Sequence, residues 1–126
     1  MFKFGCNGFN ISKSYSYILY KKDEALYKEC ISSGQKQERA DGINQYMLQH
    51  QGGVLIIYKN ESSENALNEK ITFTLDGLTI DGNEPDNKVV EFSLNPGQEK
   101  IVKLSTIKGG FTFNMQTQYS IDMANF

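Results

Sequence analysis

Residues 53–104 read GVLIIYKNESSENALNEKITFTLDGLTIDGNEPDNKVVEFSLNPGQEKIVKL, and in this stretch apolar segments alternate with clusters of Asn, Asp, Gly and Pro. Each apolar segment carries β-branched or aromatic residues at the spacing of a strand. The four segments are Val54–Tyr58, Ile71–Leu75, Val89–Leu94 and Lys100–Leu104. Short strands joined by turn residues are typical of an antiparallel sheet. The stretch therefore predicts a small antiparallel β domain, and it contains no set of residues that performs chemistry.

Further strands are predicted on both sides of this stretch. Ile11–Lys21 alternates in the manner of a strand, as do Phe111–Met115 and Tyr119–Met123 near the other end of the chain. Ile43–Gln51 fits a helix or a strand, and we favour a strand because the segment runs directly into Gly52–Gly53. A Gly-Gly pair between two apolar runs predicts a tight hairpin, since both residues can adopt a positive φ.

The remaining segments have the composition of turns, loops or a short helix. Asp23–Ile31 predicts a short helix, because Asp is a good N-cap residue and an acidic residue follows it. Ser32–Arg39 is polar without periodicity and predicts a surface loop, and Asn60–Asn68 predicts a polar connection. Turns are predicted at Asp76–Gly77, Asn95–Gln98 and Gly109–Gly110. Seven to nine strands with at most one short helix predict an all-β fold, an antiparallel β-sandwich of two packed sheets.

Length and charge limit the classes of function. A chain of 126 residues supports one hydrophobic core, so we expect a single sandwich domain over residues 11–126, preceded by an aromatic arm over residues 1–10. The 13 basic and 15 acidic residues give a net charge of −2 without a basic patch, so nucleic acid is not an expected partner. No segment resembles a secretory signal or a membrane span. We therefore expect a cytoplasmic protein with free thiols at Cys6 and Cys30.

Several motifs in the strand-rich region resemble a known family. These motifs are Gly52–Asn60, Phe73–Leu78, Leu94–Leu104 and Gly110-Phe111. They are similar to the C2-like β-sandwich domain that accompanies calpain-type proteases. They also resemble the stand-alone calpain-like proteins of protists, which lack the protease core. The similarity covers roughly residues 40–122. A strand followed by Leu-x-Pro-Gly also occurs in other cytosolic immunoglobulin-like sandwiches, including the sperm-protein-like domains of cilia and centrosomes.

The resemblance implies a C2-like or immunoglobulin-like sandwich that has no catalytic activity and binds a protein partner or phospholipid. In calpains such domains are sometimes controlled by calcium bound at acidic loops. The chain departs from the family in two respects. Nothing in it matches the protease core, and the acidic loop of the calcium-responsive members is reduced.

Catalysis by a cysteine is one function that the residues permit. A cysteine hydrolase needs a thiolate beside an imidazole, and the chain contains two thiols, Cys6 and Cys30, and one imidazole, His50. Neither thiol lies in a sequence context that is typical of such enzymes. The three residues also lack the paired spacing of a zinc site.

The acidic residues between the central strands form the predicted metal site. Asp76, Asp81, Glu84 and Asp86 lie on neighbouring turns, and carboxylates from adjacent loops are ligands that calcium prefers. Their spacing does not match the alternating ligands of a helix-loop-helix calcium site. The alternative is that Asp and Asn form the turns here and bind nothing.

The aromatic residues of the amino-terminal arm are the predicted partner-binding residues. Phe2, Phe4 and Phe9 belong to a segment with too little strand pattern to form its own core, so they could add to a partner or to a sheet edge. The alternative is that the arm folds back onto its own domain. The favoured function is a non-enzymatic protein-interaction or assembly module in a cytoskeletal or ciliary complex. The alternatives are a calcium-dependent phospholipid sensor at a membrane surface and a minimal cysteine hydrolase.

Overall fold

The structure is a computed structural model that describes residues 24–84 and 86–123. The predicted strand Ile11–Lys21 and the aromatic arm of residues 1–10 lie outside the described residues.

The described residues form one helix and eight strands, which are arranged in two sheets. The five-stranded sheet has the order β1-β2-β3-β7-β5, and the three-stranded sheet has the order β6-β4-β8. All neighbouring strands are antiparallel. The predicted all-β sandwich with one short helix is therefore confirmed. The elements are α1 (24–33), β1 (Gln35–Ala40), β2 (Ile43–His50), β3 (Gly53–Asn60), β4 (Asn65–Asp76), β5 (Leu78–Ile80), β6 (Val89–Leu94), β7 (Glu99–Thr106) and β8 (Thr112–Met123).

Strand β3 is buried on both of its faces, which explains its unbroken apolar sequence. Val54, Ile56 and Tyr58 point into the core between the sheets. Leu55 and Ile57 point the other way and pack against α1. A strand covered on both sides reads as a continuous hydrophobic run, whereas a strand with one solvent face alternates. The central position of β3 follows directly from this pattern.

Helix α1 covers part of the outer face of the five-stranded sheet. Cys30 is fully buried and donates its Sγ–H to the carbonyl oxygen of Leu55 at 3.7 Å. Tyr27 donates its hydroxyl to Glu99 Oε1 at 2.6 Å, which joins the helix to β7. The helix predicted for Asp23–Ile31 is confirmed over its described residues.

Strand β4 contributes the inner face of the three-stranded sheet. Leu67, Ile71 and Phe73 are buried in the core, while Lys70 and Thr72 between them are exposed. This alternation is that of a strand with one buried face and one solvent face.

Two predicted loops are wrong. The polar segment Ser32–Arg39 contains most of β1, which pairs with β2 through Gln35–Ala40. Its sequence carries no apolar alternation because β1 is an edge strand with most of its side chains in solvent. The connection Asn60–Asn68 is shorter than predicted, since β4 already begins at Asn65. The buried Asn60 holds this short connection by donating its Nδ2 to the carbonyl oxygens of Asn65 and Leu94.

The predicted turns exist, but three of them join strands of different sheets. Asn95–Gln98 is a β-turn in which Gln98 N–H donates to Asn95 O at 3.0 Å and Gly97 has a φ of 85°, as a type II turn requires. It leads from β6 in one sheet to β7 in the other. Gly77 likewise separates β4 from β5, and the bend at 107–110 separates β7 from β8. Strand β5, which follows the turn at Asp76–Gly77, therefore pairs with β7 and not with β4.

The structure confirms the predicted hairpin and joins two predicted strands near the end of the chain into one. The hairpin between β2 and β3 is confirmed, and His50 pairs with Gly53 across it. Phe111–Met115 and Tyr119–Met123 were predicted as separate strands, but β8 is continuous from Thr112 to Met123. The continuity arises because β4 pairs with β8 along its whole length.

We predict that Gly53→Ala strongly destabilises the fold. Gly53 has a φ of 142°, and a Cβ there would lie 1.8 Å from the carbonyl oxygen of Leu104 on β7. An alanine at residue 53 would have a strained backbone, and its Cβ would push β3 away from β7. Because both effects destabilise the folded state, the free energy of unfolding should fall by about 3 kcal/mol or more. Urea denaturation measures the change. Gly109→Ala is the matched control, since no atom lies within 4 Å of its added Cβ; equal destabilisation by both variants would contradict the prediction.

Candidate partner-binding edge

The two sheets expose four edge strands in the described part of the chain, and β8 differs from the other three. Proteins protect exposed edges with short strands, charged side chains or bulges. Strand β5 has three residues, and β6 has six with Glu91 among them. Strand β1 carries three charged residues and a register shift between Glu38 and Ala40. Strand β8 has twelve residues, and Asp122 is its single charged side chain.

The pairing register identifies which backbone groups of β8 face away from the sheet. Phe73 N–H on β4 donates to Lys88 O at 2.8 Å, on the side of β4 that faces β6. Successive residues of a strand direct their backbone groups to opposite sides, so the even-numbered residues of β4 bond to β8. Thr72, for example, pairs with Gln116. The odd-numbered residues of β8 therefore direct their N–H and C=O groups away from β4.

These odd-numbered residues define what we call the β8 edge: Phe113, Met115, Thr117, Tyr119, Ile121 and Met123. No described strand pairs with this side of β8. The side chains of Phe113, Met115 and Ile121 pack against the core. Tyr119 and Met123 are 48% and 79% exposed. The even-numbered side chains lie on the outer face of the sheet and are polar.

A cleft of about 270 Å³ separates β8 from β1, at the side of the sandwich where both sheets end. Its walls combine amide, thioether and hydroxyl groups with one guanidinium. Such groups can hydrogen-bond to a polypeptide and accommodate its side chains. The lining residues are Gln35, Gln37 and Arg39 of β1, Gln45 and Met47 of β2, and Met115 and Thr117 of β8.

A buried ion pair holds the two sheets together beside this cleft. Arg39 Nε donates to Glu69 Oε1 and Arg39 Nη2 to Glu69 Oε2, both at 3.1 Å. The two side chains are 6% and 0% exposed. The guanidinium also donates to Gln37 Oε1 at 3.2 Å and lies 4.6 Å from the ring centroid of Tyr119. Arg39 therefore connects β1 with both β4 and β8.

Tyr58 completes the hydrogen bonding of the carboxylate. Its hydroxyl donates to Glu69 Oε2 at 3.3 Å and accepts from Gln45 Nε2 at 2.7 Å. Burial raises the pKa of Tyr58, and the charge of Glu69 raises it further, so Tyr58 keeps the proton that it donates. Burial lowers the pKa of Arg39, but the hydrogen bonds and charge of Glu69, together with the smaller effect of Tyr58, outweigh burial, so the pKa of Arg39 is raised overall. Every buried polar side-chain atom of the described residues has a partner.

The buried carboxylate was missed by our sequence analysis, although the sequence contains a signal for it. Ile71 and Phe73 fix the inward phase of β4, and the same phase places Glu69 on the buried face. An acidic residue at such a position requires a cationic or hydrogen-bonding partner. The phase does not reveal which cation this is.

The two predicted catalytic groups that the structure describes, Cys30 and His50, each have their own surroundings. The buried thiol of Cys30 has its pKa raised to about 11 by burial, whereas a nucleophilic thiol has a lowered pKa. His50 Nδ1 accepts a hydrogen bond from Gly52 N–H at 3.1 Å in the β2–β3 hairpin. Cys6 lies outside the described residues.

Of the predicted calcium ligands, Asp76 is the last residue of β4, and the other three lie in the loop that follows β5. Asp76 forms an ion pair with Lys108 at 2.9 Å, and Asp81 accepts a hydrogen bond from Ser105 Oγ at 2.8 Å. Glu84 and Asp86 lie exposed in the loop that follows β5. Within the described residues, no group of three or more His, Cys, Asp and Glu side chains could hold a metal ion. Calcium binding stays a prediction.

The comparisons with known proteins add no relative. No family model, curated protein or solved structure matches the chain significantly. The resemblance to calpain-type C2-like domains stays a prediction, as does partner binding by Phe2, Phe4 and Phe9, which lie outside the described residues. In the described ranges, no helix has the length and apolar character needed to cross a membrane.

We predict that breaking the Arg39–Glu69 pair is costly and that replacing both partners is less so. Arg39→Met or Glu69→Leu alone leaves a buried charge without its partner, which should lower the free energy of unfolding by about 3–5 kcal/mol. The double variant Arg39→Met, Glu69→Leu should lose less than the sum of the single changes. Urea denaturation of the three variants measures the coupling. Lys108→Met, which breaks the exposed pair with Asp76, should change stability by less than about 1 kcal/mol.

We predict that the Cys30 thiol reacts only when the chain unfolds. In a Cys6→Ala background, iodoacetamide at pH 8 should modify folded Cys30 at least about 100-fold more slowly than the chain in guanidinium chloride. Rapid labelling of the folded protein would contradict the prediction.

The raised pKa of Cys30 also predicts how stability depends on pH. The free energy of unfolding should decline as the pH rises from about 9 to about 11, because the thiol then ionises only in the unfolded state. Cys30→Ala should show a shallower decline.

Proposed function

We propose that the protein is a non-catalytic interaction module that binds an extended polypeptide segment by strand addition to the β8 edge. The observation that carries the proposal is the twelve-residue strand β8, whose outward backbone groups have no described strand beside them. An added strand satisfies such groups with main-chain hydrogen bonds. Each bond contributes about 0.5–1.5 kcal/mol, so a strand of several residues can bind stably.

The cleft beside β8 supports the proposal by offering specificity. A strand that pairs with β8 directs alternate side chains toward the interior of the sandwich, next to Met115 and Thr117. There they meet the thioether of Met47 and the amides of Gln35 and Gln37 across the cleft. The cleft therefore favours apolar or amide side chains at alternate positions of the partner segment.

The surroundings of the Cys30 thiol support the proposal of a module without catalytic activity. Cys30 is buried beneath α1 with its proton directed at Leu55 O. A binding role of this kind agrees with the role of calpain-type C2-like domains in docking proteins. It also agrees with an assembly function in a cytoskeletal or ciliary complex of the cytoplasm.

We predict that Thr117→Pro abolishes partner binding and leaves the fold intact. Thr117 N–H faces the β8 edge, so proline removes a donor to the partner without removing a hydrogen bond to β4. Glu91→Pro is the matched control, because Glu91 N–H faces away from β4 at the opposite edge of the same sheet. Tagged protein, incubated with extract of the source cell, should recover the same partners with wild type and Glu91→Pro. Recovery with Thr117→Pro should fall at least about tenfold.

Circular dichroism establishes whether both proline variants retain the β fold. Partners that bind Thr117→Pro and wild type equally would contradict strand addition at β8. Loss of the same partners with Glu91→Pro would also contradict it, because the effect would then belong to the whole sheet.

A further inference from the structure

The β8 edge is complementary to itself when a second copy is placed antiparallel to it. The two-fold axis passes midway between Gln118 of one copy and Gln118 of the other. It pairs every residue of the β8 edge with a residue of the same edge in the second copy. Thr117 then faces Tyr119, Met115 faces Ile121, and Phe113 faces Met123. All six residues direct their backbone groups outward, so each pair can exchange two hydrogen bonds. The overlap spans about 35 Å at the rise of an antiparallel strand.

The side chains agree with this register on both faces. On the inner face every pair contains an apolar or aromatic residue, and the pairs cover Tyr119 and Met123, two of the exposed large hydrophobic residues of the described chain. On the outer face Gln118 faces Gln118, Gln116 faces Ser120, and Asn114 faces Asp122. The two Asp122 carboxylates lie at opposite ends of the paired strands. No like charges therefore oppose each other.

The other exposed edge strands lack this complementarity. A β1 pair would bring together strands that contain Lys36, Glu38 and Arg39 and are interrupted by a register shift. Strand β6 is half as long as β8. Strand β5 has only three residues.

We infer that β8 of a second copy of this chain is the strand that the β8 edge receives, forming a symmetric dimer with one continuous sheet of six strands. The inference rests on the proposed function, because it identifies the segment that is bound there. A two-fold axis makes the contact closed, so association stops at two copies. Both copies then contribute Tyr119 beside the Arg39–Glu69 pair at the same interface.

The register is tested with single cysteines in a Cys6→Ala background, in which the remaining native thiol, Cys30, is buried. Residue 118 faces itself in a pair without mutual hydrogen bonds, where the Cα atoms are about 4.5 Å apart, within the range of a disulfide. Gln118→Cys should therefore form a covalent dimer on mild oxidation. Gln116→Cys is the matched control on the same face of the same strand, and its two copies would lie about 14 Å apart.

The expected result is a disulfide-linked dimer with Gln118→Cys at a rate at least tenfold above Gln116→Cys, together with a dimer of the wild type by analytical ultracentrifugation. Equal cross-linking of both variants, or no cross-linking of either, overturns the inference. A wild-type monomer at 100 µM overturns it as well. If the chain is monomeric and Thr117→Pro still loses partners that wild type and Glu91→Pro retain, the proposed function stands and only the second copy is excluded.

Discussion

The ion pair between Arg39 and Glu69 connects the two sheets at the point where the sandwich would otherwise be open. Glu69 lies on the buried face of β4, and a carboxylate in that position is strongly unfavourable without a cation. Arg39 supplies this cation from β1, the edge strand of the five-stranded sheet, and is directed inward. Tyr58 and Tyr119 then take their positions around the pair.

Burial explains which strands could be predicted from the sequence and which could not. Strands β3, β4 and β6 carry apolar residues in the continuous or alternating patterns that two-sided and one-sided burial require. Strand β1 reads QKQERA and has neither pattern, because most of its side chains remain in solvent and Arg39 is buried by charge pairing. A pattern of hydrophobicity cannot reveal a strand that is held by hydrogen bonds to β2 and by one ion pair.

Turn chemistry was informative about local conformation and uninformative about topology. Gly97 adopts the positive φ that its turn requires, and this requirement is local to four residues. Whether the next strand returns to the same sheet depends on which apolar face must be covered, and that is decided by the whole core. The acidic residues at the turns could be recognised from their local sequence, whereas the side of β8 that has no described strand beside it follows only from the register of β8 with β4.

The charge distribution on β8 is the strongest reason to regard it as an interface. An edge that must stay unpaired is usually interrupted by lysine, proline or a bulge, since six residues with unpaired outward groups would otherwise promote aggregation. Strand β1, across the cleft from β8, has both charges and a register shift. Strand β8 has neither along its length up to Asp122. The two edges belong to one side of the same domain, so the protection of one and not the other favours a defined partner for β8 over general exposure.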